Sequence, residues 1–190
     1  MSTNHLFSLA GLALAAAALG GCAGVKAPAM MAPPAPTMAA ALPAAVQVPP
    51  GHMAVLETVG AGDITYECRE KTGMTGEHEW AFVGPSASLV DRQGRTVGRY
   101  FGPPATWAAA DGSAITGTQL AVAPAGMGNI PLQLVKAAPA TGSGLMSGVS
   151  HVQRVATRGG VAPASACTAE MRGRREVVRY QADYIFWKPV

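Results

Sequence analysis

The residues in this sequence best suited to chemistry are scattered. Trp107 follows Gly102-Pro103-Pro104, which presents a large apolar ring on a stiff irregular loop, and Asp111-Gly112-Ser113 comes shortly after it. An indole, a carboxylate and a hydroxyl in that order suit the rim of a ligand pocket, with Arg154 as a further member. The same residue types also suit a structural end, in which Trp107 plugs a β core while Asp111 and Ser113 satisfy the backbone of an Asp-Gly turn. An enzymatic alternative joins Asp111 to His151 and Arg154. That arrangement needs an acid, a base and a cation converging in one concave site, with a shifted pKa on Asp111 or His151. His151 shares its strand face with Gln153 and Val155, a setting that also suits a hydrogen-bonded sheet residue.

Other candidate motifs are weaker. The glycine-rich Gly142-Ser143-Gly144-Leu145-Met146-Ser147-Gly148 is followed by strand-like Val149–Val155 rather than an amphipathic helix, so it reads as a hairpin loop and not a phosphate cradle. Neither Ser143 nor Ser147 stands in a nucleophile elbow. His52, His78 and His151 are not at the spacings that place paired metal ligands on one strand or helix face, and Glu77-His78-Glu79 reads as an exposed charged turn. No metal site and no cofactor is expected. Arg172-Gly173-Arg174-Arg175 with Arg179 is the densest positive patch, either a solvated loop or a surface for lipid phosphate or an anionic glycan. It lacks interleaved stacking aromatics, which argues against nucleic acid as a partner.

The elements that must position these residues are strands. The chain has 190 residues, 49% hydrophobic and 13% charged, with 14 Lys+Arg against 11 Asp+Glu for a net charge of +3, too balanced to imply a polyanion partner. Much of the apolar content is alanine in the first fifty positions, so one domain is expected from residue 51 to 190, roughly 140 residues. Within it period-two alternation recurs: Ile64, Tyr66 and Cys68 share one face of Ile64–Arg69, and Val178, Tyr180, Ala182, Tyr184 and Phe186 share the core face of Val177–Lys188. Further strands are predicted at Met53–Val59, Glu79–Val83, Ser88–Asp91, Thr96–Phe101, Ala114–Val122, Leu132–Ala137 and Val149–Thr157, separated by Gly and Pro punctuation. Helical turns are predicted only at Thr106–Ala110 and Ala164–Met171. The fold class is all-β, an antiparallel β-sandwich or a partly closed β-barrel.

Ahead of that domain the sequence reads as an address and a tether. Leu6–Leu19 is almost wholly apolar, the length of a signal-peptide core and too short to cross a bilayer as a helix. Leu19-Gly20-Gly21-Cys22 resembles the bacterial lipobox, so residues 1–21 are expected to be removed and Cys22 lipidated, anchoring the protein in a membrane. An ordinary secretory signal, with Cys22 a free thiol, is the alternative. Ala23 after the lipidated position fits an outer-membrane lipoprotein facing the periplasm or cell surface. Residues 22–50, rich in Ala and Pro, read as an extended spacer, and an Ala-rich helix over Met38–Ala45 competes with that reading but is cut short by Pro43. With Cys22 assigned to lipid, Cys68 and Cys167 remain in a compartment that permits disulfides. A bond between them is expected, with two buried thiols or a redox site as alternatives, although no Cys-x-x-Cys motif favours the last.

Several landmarks together resemble the family called domain of unknown function 3455, secreted proteins of bacteria and fungi. They are Trp80 with Pro85-Ser86-Ala87-Ser88-Leu89, Asp91-Arg92-Gln93-Gly94, Gly98, Gly102-Pro103, Trp107, Asp111-Gly112-Ser113, Ile130-Pro131, Gly144, Val152–Thr157 with Gly159-Gly160 and Pro163, Cys167, and Tyr180-Gln181-Ala182-Asp183-Tyr184. The resemblance spans about Pro49 to Trp187. It implies a secreted β domain and supports the Cys68–Cys167 pairing, but brings no activity. The family's compact Gly-Pro-Thr-Trp with a nearby histidine is replaced here by Gly-Pro-Pro-Ala-Thr-Trp after Tyr100, so any role of that histidine does not carry over. These readings converge on a non-enzymatic lipoprotein whose β domain binds a small molecule, a glycan or an envelope partner. A small periplasmic enzyme and a purely structural envelope protein are the rivals.

Overall fold

The computed structural model describes residues 42–190. The expected signal peptide, the lipidated Cys22 and most of the tether lie outside the described residues. Eight strands follow in order: β1 (His52–Glu70), β2 (His78–Asp91), β3 (Thr96–Phe101), β4 (Thr106–Ala109), β5 (Ala114–Ala123), β6 (Leu132–Ala137), β7 (His151–Gly159) and β8 (Arg175–Pro189). Each pairs antiparallel with the next, and β8 returns to β1, so a single sheet closes on itself as a ring. Closure gives both would-be edge strands a partner, and a sheet with no free edge presents no row of unpaired backbone groups. Of the two architectures the sequence suggested, the ring replaces the sandwich.

Several predicted strands fuse. Met53–Val59 and Ile64–Arg69 are parts of β1, which continues through Gly60 and Gly62. Those glycines do not break the strand because their bare backbone makes room for neighbours: a Cβ at Gly60 would strike the Tyr184 ring, and one at Gly62 would strike Ala87. Glu79–Val83 and Ser88–Asp91 likewise join as β2, with a register shift opposite Thr65 and Tyr66. Thr106–Ala110 is not a helical turn. Thr106–Ala109 is a strand, because Trp107 pairs with Tyr100 on one side and Ile115 on the other, and sheet packing of an aromatic outweighs the helix preference of the alanines. In the predicted Ala164–Met171 turn only Ala169–Met171 is helical, as a single 3₁₀ turn.

The packed domain also begins earlier than residue 51. Ala44–Val46 forms a 3₁₀ turn lying on β5 and β6, and Val46 is fully buried against Ala123 and Leu134 on the outside of the ring. Gln153 Nε2 donates to the Val46 carbonyl at 2.6 Å. The Ala- and Pro-rich composition conceals three apolar side chains, Leu42, Val46 and Val48, that cover an apolar stripe of the outer face. Residues 42–50 are therefore a docked strap rather than free spacer.

Alternation along every strand sends one set of side chains into the ring. Leu89, Ile115, Val152 and Phe186 fill it together with an aromatic stack in which Tyr100 lies on Trp107 (centroids 4.7 Å apart, planes 20° apart) and Tyr184 leans on both. An up-and-down ring has two ends. One carries the β2–β3, β4–β5 and β6–β7 connections; the other carries β1–β2, β3–β4, β5–β6 and β7–β8.

Candidate functional site

At the end bearing the β2–β3, β4–β5 and β6–β7 connections the ring's interior is plugged, and a hollow of about 400 Å³ lies at the rim, lined by Leu56, Arg92, Val97 and Leu145. Met146 and Val149, from the long β6–β7 connection, are buried in the core. The Asp111-Gly112-Ser113 turn holds that plug in place. Asp111 Oδ1 accepts from the Ser113 amide at 2.9 Å and the Ser113 hydroxyl at 2.6 Å, while Oδ2 accepts from the Leu145 amide at 2.7 Å. The Met146 amide in turn donates to Ser113 Oγ at 3.1 Å. These donors, the Ser113 hydroxyl foremost, hold the Asp111 carboxyl below the usual carboxylate range. Gly144 sits against that carboxylate where any Cβ would collide with it.

Trp107 and the Asp111-Gly112-Ser113 turn thus take the structural reading. Trp107 is 1% exposed, within the aromatic stack, and forms no rim. The acid–base–cation trio is not assembled either. Asp111 is spent on the plug, His151 points outward from β7, and Arg154 points inward from the same strand, as their odd and even positions require. His151 lies edge-on to His52, ring centroids 4.7 Å apart, with Ser150 Oγ 3.0 Å from its Nδ1. Partial burial, then the charges of His52 and Lys136, lowers its pKa. The arginine patch is largely neutralised on the outer face: Arg175 pairs with Glu67, Arg174 with Glu176 and Arg179 with Asp63. Among the described residues no group of three or more His, Cys, Asp or Glu side chains is placed to hold a metal.

The opposite end is open. Between its loops lies a pocket of about 360 Å³ with Ile64, Tyr66, Tyr100, Ile130 and Val135 as apolar wall, Phe82 at the exposed side, and Gln119, Gln133 and Arg154 as polar lining. Three devices build it. First, Gly117 lines it without a side chain, where a Cβ would meet Val135 and the Trp107 ring. Second, the connection from β7 to β8 is pinned beside the mouth by the Cys68–Cys167 disulfide (Cα–Cα 5.5 Å), by Trp80 Nε1 donating to the Ser165 carbonyl at 2.8 Å, and by the Tyr66 hydroxyl donating to the Gly160 carbonyl at 2.8 Å. Third, the β5–β6 connection is tied to β7 by Thr157 Oγ1 donating to the Ile130 carbonyl at 2.6 Å and the Gly159 amide donating to Asn129 Oδ1 at 2.8 Å. The expected cysteine pairing is therefore present, and it is part of the mouth.

Arg154 is the sequence-predicted site residue that the structure places in this pocket. It pairs in register with Gln133 on β6 and with Tyr184 on β8. Its Nε and Nη2 donate to the Pro131 carbonyl at 3.2 and 2.9 Å, which steers the guanidinium into the mouth. Burial raises the pKa of Tyr66, Tyr100 and Tyr184 and pushes Tyr180 up to about 12, with the Arg154 charge opposing the shift at each. The phenols are thus neutral near pH 7, and the pocket's one charged lining residue is Arg154.

Tyr66, Phe82, Tyr100, Gln119 and Gln133 were not singled out from sequence. Their signal was parity: a glutamine on the inward face of β5 and another on β6, bonded to each other at 2.7 Å, is unusual in a strand interior that is otherwise apolar. No curated protein and no solved structure matches the chain. The model of one family does match, over residues 49–188, from the end of the docked strap to the last strand, and the chain belongs to that family, described as Protein of unknown function (DUF3455).

Proposed function

We propose that this protein is an exported, lipid-anchored binding protein whose ring domain takes a small organic molecule into its open-end pocket. The observation that carries this reading is the inequality of the two ends. Met146 fills the ring's interior at one end, where the hollow at the rim has no aromatic side chain, whereas the pocket of about 360 Å³ at the other end has aromatic walls that meet a few convergent polar groups. A purely structural ring has no need to pin two connections around a gap. The anchor rests on Leu6–Leu19 and on Leu19-Gly20-Gly21-Cys22, and it would place the domain at an envelope membrane.

The two parts are tested separately. Phenylnaphthylamine, an uncharged dye that brightens in apolar surroundings, should bind the exported protein saturably at one site. Phe82→Ala should weaken that binding several-fold at unchanged fold, because Phe82 is exposed and contributes little to the core. Binding that is absent, or indifferent to Phe82, would refute the pocket. In an expressing bacterium, labelled palmitate should enter the wild-type chain and not Cys22→Ser; equal labelling, or none in either, would refute the anchor.

A further inference from the structure

Arg154 is an unusual cation for a pocket wall. It reaches toward an aromatic interior, yet it is in none of the ion pairs formed among the described residues. Several outer-face arginines do find carboxylates, as Arg92 bonds both Glu57 and Asp183 and Arg175 bonds Glu67, whereas Arg154 is set apart by facing the aromatic pocket. A guanidinium has five N–H donors, and the two bonds to the Pro131 carbonyl use one on Nε and one on Nη2. The remaining Nη2 hydrogen and both Nη1 hydrogens have no acceptor among the described residues. Arg154 is only partly buried at the mouth, so water meets these donors until an acid group replaces it in charge-assisted bonds.

Resting on the pocket reading above, we infer that the ligand is an organic acid: an apolar body against Tyr66, Phe82 and Tyr100, with one acid group on the free edge of Arg154. The neighbouring amides agree with this orientation. Gln133 Nε2 donates to Gln119 Oε1, which leaves the Gln119 amide N–H groups for a second acid oxygen. No carboxylate lines the pocket to repel the acid.

A matched pair of probes separates the charge from the body. Anilinonaphthalene sulfonate is phenylnaphthylamine carrying one sulfonate. On the exported full-length protein the sulfonate should bind about tenfold or more tightly than the uncharged dye, the gain of one charge-assisted contact in a partly desolvated site. Arg154→Gln should abolish that preference, so that the two dyes bind within about twofold of each other. Arg154→Lys, which keeps the charge but not the paired bonds to Pro131, should retain a preference for the acid. Equal binding of both dyes to the wild type would overturn the inference while leaving the pocket intact. So would equal losses of both dyes in the glutamine and lysine variants, since Arg154 would then only brace the Pro131 loop. If neither dye binds, the pocket reading falls and this inference falls with it.

Discussion

The two ends of the ring use similar material to opposite effect. At the closed end a glycine-rich connection folds inward, gives Met146 to the core, and is held by the side chains of Asp111 and Ser113. At the open end the connections are also tightly held, by a disulfide and by side chain to carbonyl bonds, but they are held around a space instead of across it. Rigidity and filling are therefore separate properties here. A loop can be fixed in order to occupy the interior or in order to keep part of it empty, and the bonding alone does not say which.

The largest effect that would break this comparison comes from the open end. Replacing Cys68 and Cys167 together by alanine frees a loop closed over a sequence separation of 99 residues. The chain-entropy model puts the loss near 4–5 kcal/mol, read as a fall in the denaturant midpoint. The mouth should respond first, with weaker phenylnaphthylamine binding in conditions where the fold survives.

Somewhat smaller is the loss of the plug. Met146→Ala should cost about 2–4 kcal/mol, because a 1% exposed side chain leaves a cavity that its neighbours cannot fully close. Phe82→Ala, the equivalent truncation at the open end, should cost well under about 1 kcal/mol. Similar costs for the two would show that the ends are not different in kind.

The smallest effect concerns pH. Asp111 has its pKa lowered in the folded protein, so its contribution to stability is present above the unfolded value, near about 4, and is lost as pH falls through the lowered folded value. Hydrogen-exchange protection of the Leu145 and Met146 amides should decline on acidification below about pH 4, ahead of protection in β1 and β8. Asp111→Asn should show weakened protection at neutral pH and little further change in acid. Protection in those amides that is indifferent to both pH and the substitution would remove Asp111 as the latch.

Much of the β architecture was legible because alternation in Ile64–Arg69 and Val177–Lys188 is a direct consequence of the pleat, and Cys68, Tyr180, Tyr184 and Phe186 are buried on the face that alternation indicates. The strand at Thr106–Ala109 was hidden by its alanines, whose helix preference is overruled by pairing that exists only once β3 and β5 are in place. The strap was hidden by composition, since Val46 is buried by contact with Leu134 and Ala123, remote in sequence. For the site, residue type was a weaker guide than parity. Trp107, Asp111 and Ser113 have the chemistry of a binding rim, yet Trp107 is buried in the aromatic stack and the hydrogen bonds of Asp111 and Ser113 are consumed at the closed end. Arg154 was visible as a cation in a strand, but its distinction from His151 depends on which side of the sheet each faces, and its distinction from Asp111 on which end each connection occupies.

A ligand received at the open end distinguishes the two ends in function as well as in filling. The most direct measurement is an amide NMR titration of the exported protein with anilinonaphthalene sulfonate. Saturable shifts should cluster at Tyr66, Phe82, Tyr100, Gln119, Gln133 and Arg154, with Asp111, Leu145 and Met146 unmoved. Shifts centred on the Asp111–Met146 end, or spread over the outer face without saturation, would contradict that distinction.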